Sequence, residues 1–518
     1  MAWDRRSRGV GMSRGAGSLG WAAADVMRED SSRVVFSCQV LENAKYAYWG
    51  PMRTPCLVAL GFLALLGPAS ARAQAPATAA ADSALAASIF EELIEIPSVS
   101  ETAETIRAAR AMEKRLLDAG FPAEDLHVVG PDSTTGNLVA VVRGTGARPP
   151  LLLMAHLDVV PALRQDWSTD PFTLTEDGGW WYARGAIDNK AGASILVANL
   201  IRLKREGYVP DRDLVVVLTG DEETSSASIR WLASGEGRAL IGDPSYALNT
   251  DAGGGILENG REQSFVVQAS EKMYFTFRLE VTNAGGHSSV PRADNAIYRL
   301  AAALGRLAGH TFPIELNDVT RGFFARSAGL QSDSALAGDM RAAAEGDPAA
   351  AERLAASLPY FNALLRTTCV ATRLEAGHAD NALPQTARAT VNCRVLPTQT
   401  ADAAESALRT VLADGAVTVT RVAEPTPSPP SPLTPEIVGP IEALVEEFWP
   451  GIPVIPSMST GATDGLYVRN AGIPVYGVAA IFEDPGESRA HGRDERVSVA
   501  RFYEALEFWY RMVRAFSS

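Results

Sequence analysis

A chain of 518 residues is too long for one small core and predicts two domains. Its hydrophobic content of 47% and charged content of 21% are those of an ordinary globular protein. A formal charge of -14 with no local basic stripe excludes a nucleic-acid-binding surface and argues against anionic membranes as partners.

The first readable segment is MRTPCLVALGFLALLGPASARAQA, from Met52. A short basic start, an apolar middle and the small-residue end Ala71-Arg72-Ala73 predict a secretory signal peptide over residues 52–73. Met52 is then the expected initiator, and residues 1–51 are a non-native upstream extension. A signal anchor is the alternative, although the apolar stretch is short for a transmembrane helix. Cleavage leaves an exported chain, periplasmic or secreted, with no stable membrane span. It also removes Cys38 and Cys56, leaving Cys369 and Cys393 where a disulfide is permitted.

Residues 83–270 read as the first part of a catalytic domain. SALAASIFEELIEIPSVS is an amphipathic helix stopped by Pro97, and TAETIRAARAMEKRLLDAG is another, ended by Gly120. The runs LLLMAHLD, DLVVVLTGDEE and SYALNTDAGGG are apolar without clean alternation, as strands buried on both faces are. A fourth, IPVYGVAAIFEDPGESRAHG, lies in residues 432–518, the second part of the same domain. Helical stretches such as KAGASILVANLIRLKREG separate the runs. This predicts an α/β fold, a mostly parallel sheet sandwiched by helices, with ligands at the carboxyl ends of the strands.

Residues 271–424 differ in character. EKMYFTFRLEVTN, TTCVATRLEAG, ARATVNCRVLP and AVTVTRVAEP read as strands, and NAIYRLAAALGRL and TADAAESALRTVLADG as helices. The order β-α-β-β-α-β is that of an inserted ferredoxin-like α+β domain. A mostly helical stretch over about 308–366 interrupts it, and the Pro-rich EPTPSPPSP leads back to the first domain. If the two middle strands pair with Leu374 opposite Arg388, Cys369 lies opposite Cys393. A cross-strand disulfide and two free buried thiols both remain open.

The chemistry-bearing groups cluster at strand ends. His156 and Asp158 are two apart and face the same side, so Asp158 is placed to receive the imidazole's second N–H. Asp188 sits in the Gly-rich ARGAIDNKAG, where a turn role is the plain alternative. Glu222 and Glu223 end the second run as adjacent carboxylates that need positive charge unless their loop is solvated. Asp251 and His491 end the third and fourth. Together they form a ligand set suited to two zinc-like ions.

The ordered set His156-x-Asp158, Asp188, Glu222-Glu223, Asp251 and His491 resembles the co-catalytic zinc superfamily of glutamate carboxypeptidase, aminoacylase, desuccinylase and carnosinase. HLDVVPA, DWSTDPF, ARGAIDNKAG and the long insertion are most similar to the carboxypeptidase-S and N-acyl-amino-acid hydrolase branch. The resemblance implies that His156 and Asp251 bind one metal, Glu223 and His491 the other, and that Asp188 bridges both. The ions would be Zn2+, with Co2+ or Mn2+ as substitutes. It makes Glu222 the general base and Asp158 the orienter of His156, and it implies a cis Asp188–Asn189 peptide. GGHSSVP resembles the segment whose histidine, here His287, serves the active site of a partner subunit, which makes the inserted domain a lid and a homodimerisation surface. Asn381 and Arg394 would meet the substrate carbonyl and free carboxylate, and Gly461 and Thr463 would make further contacts. The implied activity is metal-dependent hydrolysis of an amide beside a free carboxylate, with peptides or N-acyl amino acids as substrates. A small-metabolite deacylase or desuccinylase, and a catalytically inactive peptide-binding protein, are the alternatives.

Overall fold

The computed structural model describes residues 79–100 and 102–518. The segments expected to form a signal peptide and an upstream extension, with Cys38 and Cys56, lie outside the described residues. Among those described, no helix is long and apolar enough to cross a membrane.

The apolar runs become the centre of a ten-stranded sheet. Leu151–His156 lies between Leu214–Thr219 and Tyr246–Asn249, parallel to both, and Tyr246–Asn249 pairs in parallel with Val475–Gly477. Successive side chains leave a strand on opposite faces, and here both faces are covered. Leu151, Leu153 and Ala155 enter one core with helices Ala80–Ile94, Lys190–Arg205 and Val499–Phe516. Leu152 and Met154 enter a second core with Ile229 and Val468, from the short helices Ala227–Ser234 and Gly465–Asn470. Double-sided burial is why these strands read as continuous apolar runs.

Parallel pairing is confined to parts of the sheet. The edge strand Leu126–Val129 and its neighbour Asn137–Val142 are antiparallel to the strands beside them. Gly254–Glu258 is antiparallel to Arg261–Glu271, although these two also pair in parallel with Phe482–Glu483 and Val454–Ser459 respectively. The fourth apolar run divides into Val475–Gly477 and Phe482–Glu483, followed by a loop that carries His491.

The second sheet runs Thr368–Ala376, Thr386–Val395, Met273–Thr282, Thr418–Arg421, antiparallel throughout. This is the ferredoxin-like strand order. Met273–Thr282 alternates strictly: Phe275, Phe277 and Leu279 are buried with Leu300 and Leu408 of helices Ala296–Ala308 and Ala401–Leu412. Tyr274, Thr276 and Arg278 take the opposite face.

Two expectations need refinement. The helical insertion forms four helices between Asp318 and Leu365, but Val319, Phe323, Phe324 and Phe361 join the large core, not that of the four-stranded sheet. Cys369 and Cys393 are opposite and bonded, S–S 2.00 Å. The pairing then shifts by one residue between Ala371 and Arg373, so Leu374 faces Ala389 and Glu375 faces Arg388. A bulge, which local alternation does not announce, moved the register.

Candidate metal centre

His156 is the last residue of its strand and is buried. Its Nε2 lies 3.0 Å from Asp188 Oδ1 and 3.5 Å from Asp251 Oδ1. His491 reaches the same place from the far end of the chain: its Nε2 is 3.2 Å from Asp188 Oδ2 and 2.9 Å from Glu223 Oε2. Asp188 therefore turns one carboxylate oxygen to each histidine. Ligand atoms of His156, Asp188 and Glu223 lie within 4.8 Å of one another, as do those of His156, Glu222 and Asp251. Imidazole nitrogens and carboxylate oxygens at this spacing suit divalent cations, and the shared Asp188 suits a pair of them.

The electrostatics favour the same occupant. Burial, then the charge of Asp251, pushes the Glu222 carboxyl well above its ordinary range. Burial, then Asp188, raises Glu223 to about 7. Burial works against a charged His491, but its hydrogen bonds to Asp188 and Glu223 outweigh that and raise its pKa to about 10. His156 is likewise held well above its usual value, as Asp251, Asp158 and Asp188 overcome the effect of burial. Crowded acids that lack water are relieved by positive charge, which two cations would supply.

Main-chain contacts fix this geometry. Asp158 is buried, and its carboxylate accepts from Glu222 N at 3.1 Å, Glu223 N at 3.0 Å and Ser100 Oγ at 2.8 Å. The partner of His156 Nδ1 is the Asp158 main-chain carbonyl at 3.0 Å, with the nearer carboxylate oxygen at 3.5 Å. Asp158 thus holds both the imidazole and the turn that carries the two glutamates. The Asp188–Asn189 peptide is cis. Glu495 steadies the approach to it, accepting from Gly185 N at 3.0 Å, Ile187 N at 2.9 Å and Asp188 N at 3.1 Å.

Sequence reading missed Glu495, because a carboxylate that clamps a loop over 300 residues away has no local signature. Asp221 was missed too: it accepts from Ala227 N and Ser228 N at a helix start, but it lies five residues before the N-cap position Ser226, where the capping pattern is read.

Asp188, Glu222, Glu223, Asp251 and His491 open onto a cavity of about 1260 Å³. Arg394, Gly461 and Thr463 line it as well, and the Arg394 guanidinium lies 4.7 Å from the Tyr274 ring centroid. Thr463 donates to Glu271 Oε1 at 2.6 Å and accepts from Gly465 N at 3.0 Å. His287 and Asn381 do not line this cavity. They sit together on the ribbon Gly286–His287 and Ala382–Leu383, where Ser288 N donates to Asn381 O at 2.9 Å. His287 is exposed, and its Nδ1 is 2.7 Å from Ser289 Oγ.

Residues 152–515 match peptidase family M20/M25/M40. The chain is 30% identical over 382 residues to the N-fatty-acyl-amino acid synthase/hydrolase of Homo sapiens, covering 70% of this chain and 74% of that protein. Its fold is similar to that of an M20 family metallo-carboxypeptidase from Sulfolobus solfataricus, with TM-score 0.62 and 18% identity over 83% of this chain and 99% of that one. A Bacillus subtilis M20 protein described as a dinuclear metal binding peptidase is also similar, with TM-score 0.52 and 11% identity over 84% and 98% of the two chains.

Proposed function

This chain belongs to peptidase family M20/M25/M40 and is a hydrolase of amide or peptide bonds; from that premise we propose that it is an exported, dinuclear-metal enzyme that cuts the amide next to a free carboxylate. Its substrates are N-acyl amino acids or peptides with a free C-terminus. The observation that carries this reading is the bridge: Asp188 Oδ1 at 3.0 Å from His156 and Asp188 Oδ2 at 3.2 Å from His491. The similarity to an N-fatty-acyl-amino acid synthase/hydrolase supports the substrate class. The Cys369–Cys393 bond supports an oxidising compartment.

His156, Asp188 and Asp251 would hold one ion, and His491, Asp188 and Glu223 the other. When bound, two such ions supply a water of lowered pKa and polarise the scissile carbonyl. Glu222, on the cavity wall beside the ligand set, accepts the proton of the attacking water at its carboxylate and passes it to the leaving amine nitrogen. Asp158 keeps its main chain still. Arg394, steadied on Tyr274, receives the free carboxylate with its planar fork. His287 and Asn381 complete the oxyanion and carbonyl contacts from a partner subunit, in a homodimer joined through the four-stranded domain.

The test is hydrolysis by zinc-loaded protein of matched dipeptides and N-acyl amino acids, before and after chelation. Turnover that survives complete metal removal, or that does not require a free carboxylate, contradicts the proposal.

A further inference from the structure

The cavity face of the four-stranded sheet is organised in rows, and one row is unbalanced in charge. The innermost row pairs Tyr274 with Arg394 and Arg394 with Thr368. Next come Thr276, Asn392 and Val370, which are neutral. The third row is Thr420, Arg278, Thr390 and Arg373 across all four strands. The fourth is Thr418, Glu280, Arg388 and Glu375, where Arg388 lies between two glutamates and hydrogen-bonds to Glu280.

Position along the strands separates the last two rows in function. Arg278, Thr390 and Arg373 line the cavity, whereas Glu280, Arg388 and Glu375 do not. Arg278 is exposed, and its guanidinium makes no hydrogen bond or ion pair to a described residue. Arg373 leans on Glu375 of its own strand at 3.0 Å, and that pair is largely solvated. The outer row is thus compensated across strands, while the row inside the cavity presents two guanidiniums flanking a threonine. Neither arginine has an acid directly across from it on a neighbouring strand, where opposite charge would stabilise the sheet. They are suited to a ligand that brings the missing negative charge.

We infer that Arg278 and Arg373, with Thr390 between them, form a second anion subsite that selects substrates carrying a carboxylate remote from the one held by Arg394. Thr390 is four residues along its strand from Arg394, a Cα separation of about 14 Å. Long arginine side chains shorten the gap between the charged groups. A peptide with an acidic residue two or three positions from its free carboxylate spans it, and a dicarboxylic acyl group on an amino acid is the other source of the same chemistry. This rests on the proposed function, in which Arg394 takes the free carboxylate.

The experiment is calorimetric binding of the tripeptides Glu-Ala-Ala and Gln-Ala-Ala to metal-loaded Glu222→Gln protein at low and high salt. The same pair is then measured with Arg278→Gln and Arg373→Gln added, singly and together. Glu-Ala-Ala is expected to bind about fivefold tighter, the ratio to shrink with salt, and the double substitution to bring it to about one. Amino acids acylated with glutarate or with its monoamide repeat the comparison for the acyl source. Equal affinity within both pairs, no measurable binding, or a ratio untouched by the double substitution overturns the inference. Binding is read without turnover, so a wild type that hydrolyses nothing removes the proposed activity while the ratio still decides the subsite.

Discussion

The strand ends of the large sheet and the cavity face of the small one handle charge in opposite ways. At the strand ends the acids are crowded and desolvated, and backbone N–H groups hold the supports around them: Asp158 accepts from the Glu222 and Glu223 amides, and Glu495 from those of Gly185, Ile187 and Asp188. On the small sheet, Arg278 and Arg373 line the cavity with few contacts, Arg373 just past a bulge and held only by a solvated pair with Glu375. The difference teaches a division of labour. Groups that do chemistry are fixed by many contacts before any ligand arrives, because small displacements cost rate. Groups that would select a ligand are held by few contacts and are satisfied by the ligand itself.

The largest effect is expected where fixing is strongest. His491→Ala removes a nitrogen that faces both Asp188 and Glu223, so turnover should become undetectable and bound metal should fall from two ions to one. Full metal content by elemental analysis would contradict the ligand assignment. Glu222→Gln keeps shape and removes only the proton-accepting charge. Activity should drop by about 10³-fold with both ions retained, and turnover within tenfold of wild type would eliminate Glu222 as base.

His287 tests the boundary between the two regions. It is exposed, bonded to Ser289 and absent from the cavity of its own chain. His287→Ala should cost about 10²-fold with metal content unchanged. Mixing this inactive variant with inactive Glu222→Gln and allowing subunits to exchange should restore activity, because one mixed site has an intact base and a histidine from its neighbour. Failure to complement in a demonstrated dimer would end the idea of a site shared between chains.

Much of this division was legible in the sequence, and the illegible part has a physical pattern. Runs such as LLLMAHLD and DLVVVLTG announced strands because both of their faces are covered. Phe275, Phe277 and Leu279 announced a half-covered strand by alternation, and the ferredoxin-like order followed. The ligand set was readable because each ligand closes a recognisable segment. Hidden features depend on partners distant in the chain. Glu495 clamps a loop more than 300 residues away, and helix Asp318–Ser327 is amphipathic without stating which core it joins. The bulge before Arg373 also escaped notice, though it turns that guanidinium into the Arg278 row.

The smallest expected effect concerns the residue joining the two regions. Lys272 alone separates strand Arg261–Glu271 from strand Met273–Thr282. It is fully buried, and its Nζ donates to Ala363 O at 2.9 Å and Arg366 O at 2.6 Å. Burial, then the charge of Arg394, lowers its pKa from 10.5 to about 7. Between those values the unfolded chain binds a proton that the folded chain does not, so stability rises with pH across that window and levels off below it. Lys272→Met abolishes this titration. The stability of the wild type relative to Lys272→Met, measured by denaturant unfolding of metal-loaded protein, should therefore increase from about pH 7 toward pH 10. A difference that is flat or falls over that range would show that the ammonium stays charged at the junction. The carbonyls of Ala363 and Arg366 would then be stabilising it far better than their burial suggests.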